Sequence, residues 1–274
     1  MKLLINEFIK DYKKKTTLLY FVIMFGLIIL IEYVSKFSYG ENLPDYTLVI
    51  DNSFMIVINI AIIFSMIIFA NNLSQEYSKG TIKFLYSKPK SRSAVLTAKI
   101  FVAIINTIFM TIVGFIFDLF IQKYLVYKNG FDFYGLLTQK MPDGYFGRLL
   151  WQQLGITFLV MLVYIIFFIS LVLLICTWVK TQILSLVALM VMILGQNIVS
   201  ALSAWVATKF SAAKYIFTNV YLIVNYYNSE LTQSSVKEFY KLNNTELFLM
   251  TLCYIVLFMG ISYVINARRD VTLD

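Results

Sequence analysis

Histidine is absent from the 274 residues. Its absence removes the usual general base of a neutral-pH enzyme, the commonest metal ligand, and both Ser-His and Cys-His nucleophilic dyads. Proline is nearly as scarce: the three copies, Pro44, Pro89 and Pro142, all fall between apolar runs, where they break helices in loops rather than kink them in lipid. The two cysteines, Cys176 and Cys253, lie inside apolar runs, where a free thiol acts as a small hydrophobe and says little about redox compartment. No G-x-x-x-x-G-K-[ST] phosphate loop occurs, so any ATP energy has to enter through a partner. Charged residues make up only 14% of the chain. Glu32 and Asp118 are the acids read in or at the long apolar runs, each near the end of its run, and both are expected to snorkel to the interface. So few buried acids argue against an aspartyl dyad and against a proton relay deep in a bundle.

What is present is hydrophobic surface, at 60% of residues with 17% aromatic, far more than one soluble core needs. A bilayer is the simplest solvent for it. The net charge of +8 sits mostly beside apolar runs, where it meets anionic headgroups, and no nucleic-acid partner is expected. The expected fold is all-α and integral to the membrane, with six spans at about 18–34, 54–70, 100–121, 149–178, 183–206 and 247–265. Residues 1–17 place Leu4, Ile5, Phe8, Ile9 and Tyr12 against a set of lysines and read as an amphipathic elbow helix in the cytoplasmic interface. The first apolar run is too long for a signal peptide, so it is expected to be retained. Lysines and arginines cluster in residues 1–17, in the loop between spans two and three, and at Arg268 and Arg269, which puts both termini inside a plasma membrane. The fourth run, about 45 Å as a straight helix against a core of about 30 Å, has to tilt or protrude. The aromatic stretch 215–227 is too short to span and reads as part of a re-entrant or interfacial segment, about 210–227. Glycines inside the spans, at 26, 114, 155, 195 and 260, read as packing residues.

The most informative stretch is 72–99, NLSQEYSKGTIKFLYSKPKSRSAVLTAK. Gly80 allows a tight turn, Thr81 can cap a helix, Phe84 and Leu85 offer an apolar knob, and Pro89 stops the element. The segment resembles the cytoplasmic signature of the ABC-2 type permeases at Glu76, Gly80, Thr81, Ile82, Phe84, Leu85, Ser87, Pro89, Arg92 and Lys99. The elbow, the order of spans and the Asn-Ala-Arg-Arg-Asp tail extend the resemblance over nearly the whole chain. The outer loop 122–148 departs from it in length. The resemblance implies a coupling helix at about 79–90, with Glu76, Gly80, Thr81, Ile82, Lys83, Phe84, Leu85, Pro89 and Arg92 transmitting the closure of a cytoplasmic ATPase. It also implies two copies of that ATPase, which bind the ATP and magnesium, and a second permease, identical or homologous. No catalytic, cofactor or metal residue is assigned to this chain itself.

Asn59, Asn106, Gln196 and Asn197 are the polar side chains within the spans. They are candidates for a substrate path, with inter-helix hydrogen bonding the plainer role. An aromatic outer region and few buried charges suit a hydrophobic or amphipathic cargo such as a peptide, drug or lipid. Rich use of Ile, Lys, Asn, Phe and Tyr has the look of a low-GC Gram-positive protein, and peptide-toxin exporters are the family members it looks like. A channel or secondary transporter without ATP coupling, and a membrane immunity or scaffold protein, remain as other readings.

Overall fold

The computed structural model describes residues 2–40, 44–78, 92–128, 132–179, 182–207 and 209–268. They form α1 (Lys2–Tyr12), α2 (Lys15–Tyr39), α3 (Tyr46–Ser78), α4 (Arg92–Ile121), α5 (Leu150–Trp178), α6 (Gln182–Ala207), α7 (Leu222–Asn228), α8 (Glu230–Phe239) and α9 (Asn244–Arg268). Apart from one isolated bridge between Lys140 and Leu149, the described residues contain no strand. Among the described residues, five helices, α2, α3, α4, α5 and α9, are long and apolar enough to cross a membrane.

Burial separates these five. About 72% of the apolar window of α3 is buried in the protein, against 22% in α2 and 17% in α9. Helix α3 is therefore the axle, packed by α4, α5, α6 and α2, while α2 and α9 turn most of their apolar surface outward. The core runs along α3 through Ile58, Ala61, Met66, Ala70 and Leu73 to Met161, Ile165, Ile169 and Val172 of α5. Within the apolar middle, Ser65 and Thr107 bond each other at 2.6 Å across α3 and α4, so neither hydroxyl is stranded in hydrocarbon.

The helices outrun the apolar runs that announce them, α3 by eight residues at each end of 54–70. At its start, after Pro44, the Asp45 carboxylate accepts from the Thr47 amide at 2.9 Å and serves as a cap. Asp51 near that start and Asn72 near the other end continue the helix as buried polar groups, which an apolar window cannot register. Of the five glycines read as packing residues, only Gly114 earns that description within the chain. A methyl there would meet Val57 at 3.0 Å and Met24 at 3.5 Å, whereas nothing lies within 4 Å of such a methyl at Gly26, Gly155, Gly195 or Gly260.

The stretch after α6 forms two 3-10 turns, Ser211–Tyr215 and Phe217–Tyr221, followed by α7. Tyr221 meets Tyr164 edge-on at 5.3 Å, and Phe217 meets Phe258 at 6.2 Å. Tyr164 stands roughly 21 Å along α5 from its start, at about 1.5 Å per residue. By Tyr227 the chain has returned to the beginning of α5, where Arg148 donates to the Tyr227 carbonyl.

Candidate functional site

Helix α1 presents an unexpected face to the bundle. Its lysines and apolar residues suggest an interfacial helix, yet Ile5 and Ile9 are exposed while Glu7 and Asp11, one turn apart on the same side, are buried. Each acid has a partner supplied by the long helices. Lys99 of α4 donates to Glu7 at 2.6 Å with only 5% of its side chain exposed. One Asp11 oxygen accepts from Asn106 of α4 at 2.9 Å and the other from Asn72 of α3. Lys14 donates to the Asn72 carbonyl oxygen, and Thr17 donates to the Asp11 backbone carbonyl at 2.6 Å. Lys99 and Asn106 are seven residues apart on α4, which puts them on one face two turns apart. A small cavity between α1, α3 and α4 is lined by Glu7, Asp11, Asn72, Lys99 and Asn106 with Phe69 as part of its apolar wall.

Burial raises both acids, but the outcomes differ. At Glu7 the Lys99, Lys10 and Lys14 ammoniums outweigh it and hold the carboxyl below its usual range. At Asp11 burial prevails over Asn106, Lys14 and Lys99, and the carboxyl is pushed up to about 6. The arrangement is a latch. It fastens α1 to the two helix ends that lead into and out of residues 79–91, since α3 ends at Ser78 and α4 begins at Arg92.

A second polar cluster lies at the opposite end of α3. Glu32 of α2 and Asp118 of α4 are both buried, contrary to the snorkelling expected of them. They lie beside each other. Gln122 donates to Glu32 and also to Ser53 of α3, the latter at 3.2 Å, so an amide holds the acid inside the bundle. Neither oxygen of Asp118 accepts a hydrogen bond, and the same holds for Asp51, a fully buried acid of α3 that the apolar window hid.

Of the residues proposed for ATPase coupling, Gly80, Thr81, Ile82, Lys83, Phe84, Leu85 and Pro89 lie outside the described residues, as do the side chains of Glu76 and Arg92. Lys99, which closes the same motif, is the cation of the latch. Among the path candidates, Asn106 is engaged with Asp11. Asn59 donates to its own Met55 carbonyl at 2.8 Å and lies beside Tyr221. Gln196 and Asn197 are on α6, with side chains outside the described residues. No group of acids and cysteines able to hold a metal ion occurs among the described residues.

The family described as ABC-2 family transporter protein matches residues 1–271. The chain belongs to that family. A search of curated proteins finds no match. As an ABC-2 permease it is a multi-pass membrane protein, a transport component of an ABC transporter that partners an ATPase subunit and is not itself the ATPase.

Proposed function

We propose that this permease is the membrane half of an ATP-driven exporter that moves a hydrophobic or amphipathic cargo, a peptide first among the candidates, out across the plasma membrane. Two cytoplasmic ATPase subunits hold ATP and magnesium, and a second permease, identical or homologous, completes the pathway. Closure of the ATPases acts on the segment about 79–90 through the apolar knob of Phe84 and Leu85 and reaches α3 and α4 directly. Through the Glu7–Lys99 and Asp11–Asn106 contacts it reaches α1, which works as an elbow beside the same helix ends. The observation that carries this reading is the family match over residues 1–271, together with the fastening of α1 to the two helices that bracket the motif loop.

On this reading the basic residues of 1–17, 72–99 and the tail put both termini in the cytosol. Thr97 near the start of α4 bonds Tyr263 near the end of α9 at 2.6 Å, which supports a common side for α1, the motif loop and the C-terminal end of α9. Helix α5 ends beside that side too, where Cys176 meets the Ala70 carbonyl, whereas α9 begins at the other. A chain joining those two points has to traverse the bundle, which supports α6 as a sixth span. The two 3-10 turns and α7 then form a re-entrant segment that dips in from outside.

Reconstitution with an ABC ATPase that co-purifies with this chain tests the reading. Transport should stop when the phosphate-loop lysine of that ATPase is replaced, and stimulation of ATP hydrolysis should be greatest with amphipathic peptides when peptides, drugs and lipids are compared. Transport that persists with the inactive ATPase would remove the energy source and favour a channel or secondary carrier.

A further inference from the structure

At the end of α3 remote from the motif loop, hydrogen bonds sort the chain into two groups. The first gathers around the start of α5. Residues 139–150 form a hairpin-like loop, with the Met141 amide donating to the Arg148 carbonyl and the Leu150 amide to the Gln139 carbonyl, both at 2.9 Å. At its tip Gly144, Phe146 and Gly147 have positive φ angles of 95°, 56° and 66°. Such a backbone is uncommon for a phenylalanine and persists only where neighbours hold it. The neighbour is the α7–α8 corner. The Glu230 carboxylate accepts from the Phe146 amide at 3.2 Å, and the Glu230 amide donates to the Gly144 carbonyl at 2.8 Å. Arg148 closes the group: one of its guanidinium nitrogens donates to Gln153 of α5 and to the Tyr227 carbonyl, each at 2.8 Å. Gln153 in turn donates to the Asn228 carbonyl at 2.9 Å.

The second group joins the ends of α2 and α4. Lys36 of α2 donates to the Leu125 carbonyl in the π-helical turn Gln122–Val126 that follows α4. Gln122 donates to Glu32 of α2 and to Ser53 of α3, and the Tyr127 hydroxyl donates to the Pro44 carbonyl at 2.9 Å. Between the two groups lies an apolar seam, where Met141 and Leu150 cluster with Ile50 of α3, Phe115 and Leu119 of α4, and Tyr127. The Tyr46 hydroxyl of α3 also donates to Gln139 across it, a bond that water can replace at small cost. Directional bonds hold one geometry, whereas apolar contacts are non-directional and can slide.

We propose that the 139–150 loop, the start of α5 and the α7–α8 corner form one cap that moves as a body, with Arg148 as its positioning residue, and that the outer side opens along the apolar seam between this cap and the ends of α2 and α4. This deepens the permease reading above and rests on it, because the ATPase drives the movement. The long outer loop then carries the outer end of the segment 211–228 with it rather than parting from it.

The test uses the full-length chain with its co-purifying ATPase in lipid nanodiscs, with Cys176 and Cys253 changed to alanine. Spin labels are placed in pairs on cysteines replacing Phe37 at the end of α2, Asp143 in the loop and Leu231 on α8, all three exposed. On ATP binding the Phe37–Asp143 and Phe37–Leu231 distances should shift together by about 2 Å or more, while the Asp143–Leu231 distance keeps its mean and width. A change in the Asp143–Leu231 distance, a shift in only one of the other two, or no shift in either would overturn the proposal. In R148Q the Asp143–Leu231 distribution should broaden roughly twofold, and in R148K, whose ammonium can donate to both Gln153 and the Tyr227 carbonyl, it should stay narrow. A distribution as narrow in R148Q as in the parent chain would overturn the proposal too. Should R148Q not fold, Glu230→Ala, which removes the acceptor of the Phe146 amide at an exposed position, should broaden the same distance, and an unchanged width would count equally against the cap. These widths are read without nucleotide, so they test the cap whether or not the ATPase binds. Co-purification of the ATPase, scored separately, tests the permease reading.

Discussion

The two ends of α3 solve the burial of acids in different ways. At the latch, Glu7 and Asp11 receive a lysine and two amides in direct contact, and nearly every charge has an opposite or a donor within reach. At the far end, Glu32 and Asp118 lie side by side with one glutamine donating to Glu32, and Asp51 is fully buried with neither carboxylate oxygen accepting a hydrogen bond. A paired cluster fixes a position. A cluster with unmatched carboxylate oxygens carries a desolvation cost that its neighbours offset less completely.

The comparison breaks first at Lys99. Replacing it with methionine leaves Glu7 buried without its cation and should cost about 3 kcal/mol in unfolding measured in detergent, with much of that recovered in the Glu7→Gln/Lys99→Met double variant. Between the two clusters the packing is close, and Gly114→Leu, which forces side-chain atoms into Val57 and Met24, should cost about 2 kcal/mol by the same measurement. Substituting one acid at each end sharpens the contrast. Asp11→Asn loses a carboxylate that accepts from two amides and should destabilise by about 1.5 kcal/mol, whereas Asp118→Asn relieves repulsion with Glu32 and should raise the melting temperature at pH 8. Equal signs for these two variants would erase the distinction between the ends.

The smallest effect is a pH dependence at the latch. Because Asp11 is pushed up to about 6 in the folded chain, from an ordinary value of 3.8, its contribution is greatest in acid and is lost as pH rises through about 6. Glu7, held below its usual range, acts in the opposite sense, and its contribution is lost only as pH falls below about 4.5. Between pH 5 and 7 the Asp11 slope should dominate, with a loss of about 1 kcal/mol on going to pH 7 that is absent in Asp11→Asn.

Much of this architecture is legible in the sequence because lipid imposes a length on apolar runs. The five membrane-length helices among the described residues coincide with five of the six expected spans, α5 starting one residue late at Leu150. The polar clusters are harder to see. Glu7 and Asp11 are four apart in a helix whose lysines dominate the eye, and only their common face, matched by Lys99 and Asn106 seven apart, signals that they turn inward. Asp51 escapes because it stands outside the apolar run that defines its span. Glu32 and Asp118 were visible, but whether an acid near a helix end reaches water or a neighbour depends on packing that one helix cannot report. The long loop 122–148 stood out by length, while its clasp to Glu230 and Tyr227 joins residues some eighty positions apart, beyond any local pattern.

In the proposed mechanism, force enters through residues 79–90 beside the latch. The most direct test is the affinity of the purified ATPase for the wild-type chain and for Phe84→Asp/Leu85→Asp in nanodiscs. The account predicts a loss of roughly tenfold or more with an unchanged unfolding midpoint, since burying two charges in the docking contact opposes binding. Equal affinities for the two chains would contradict it.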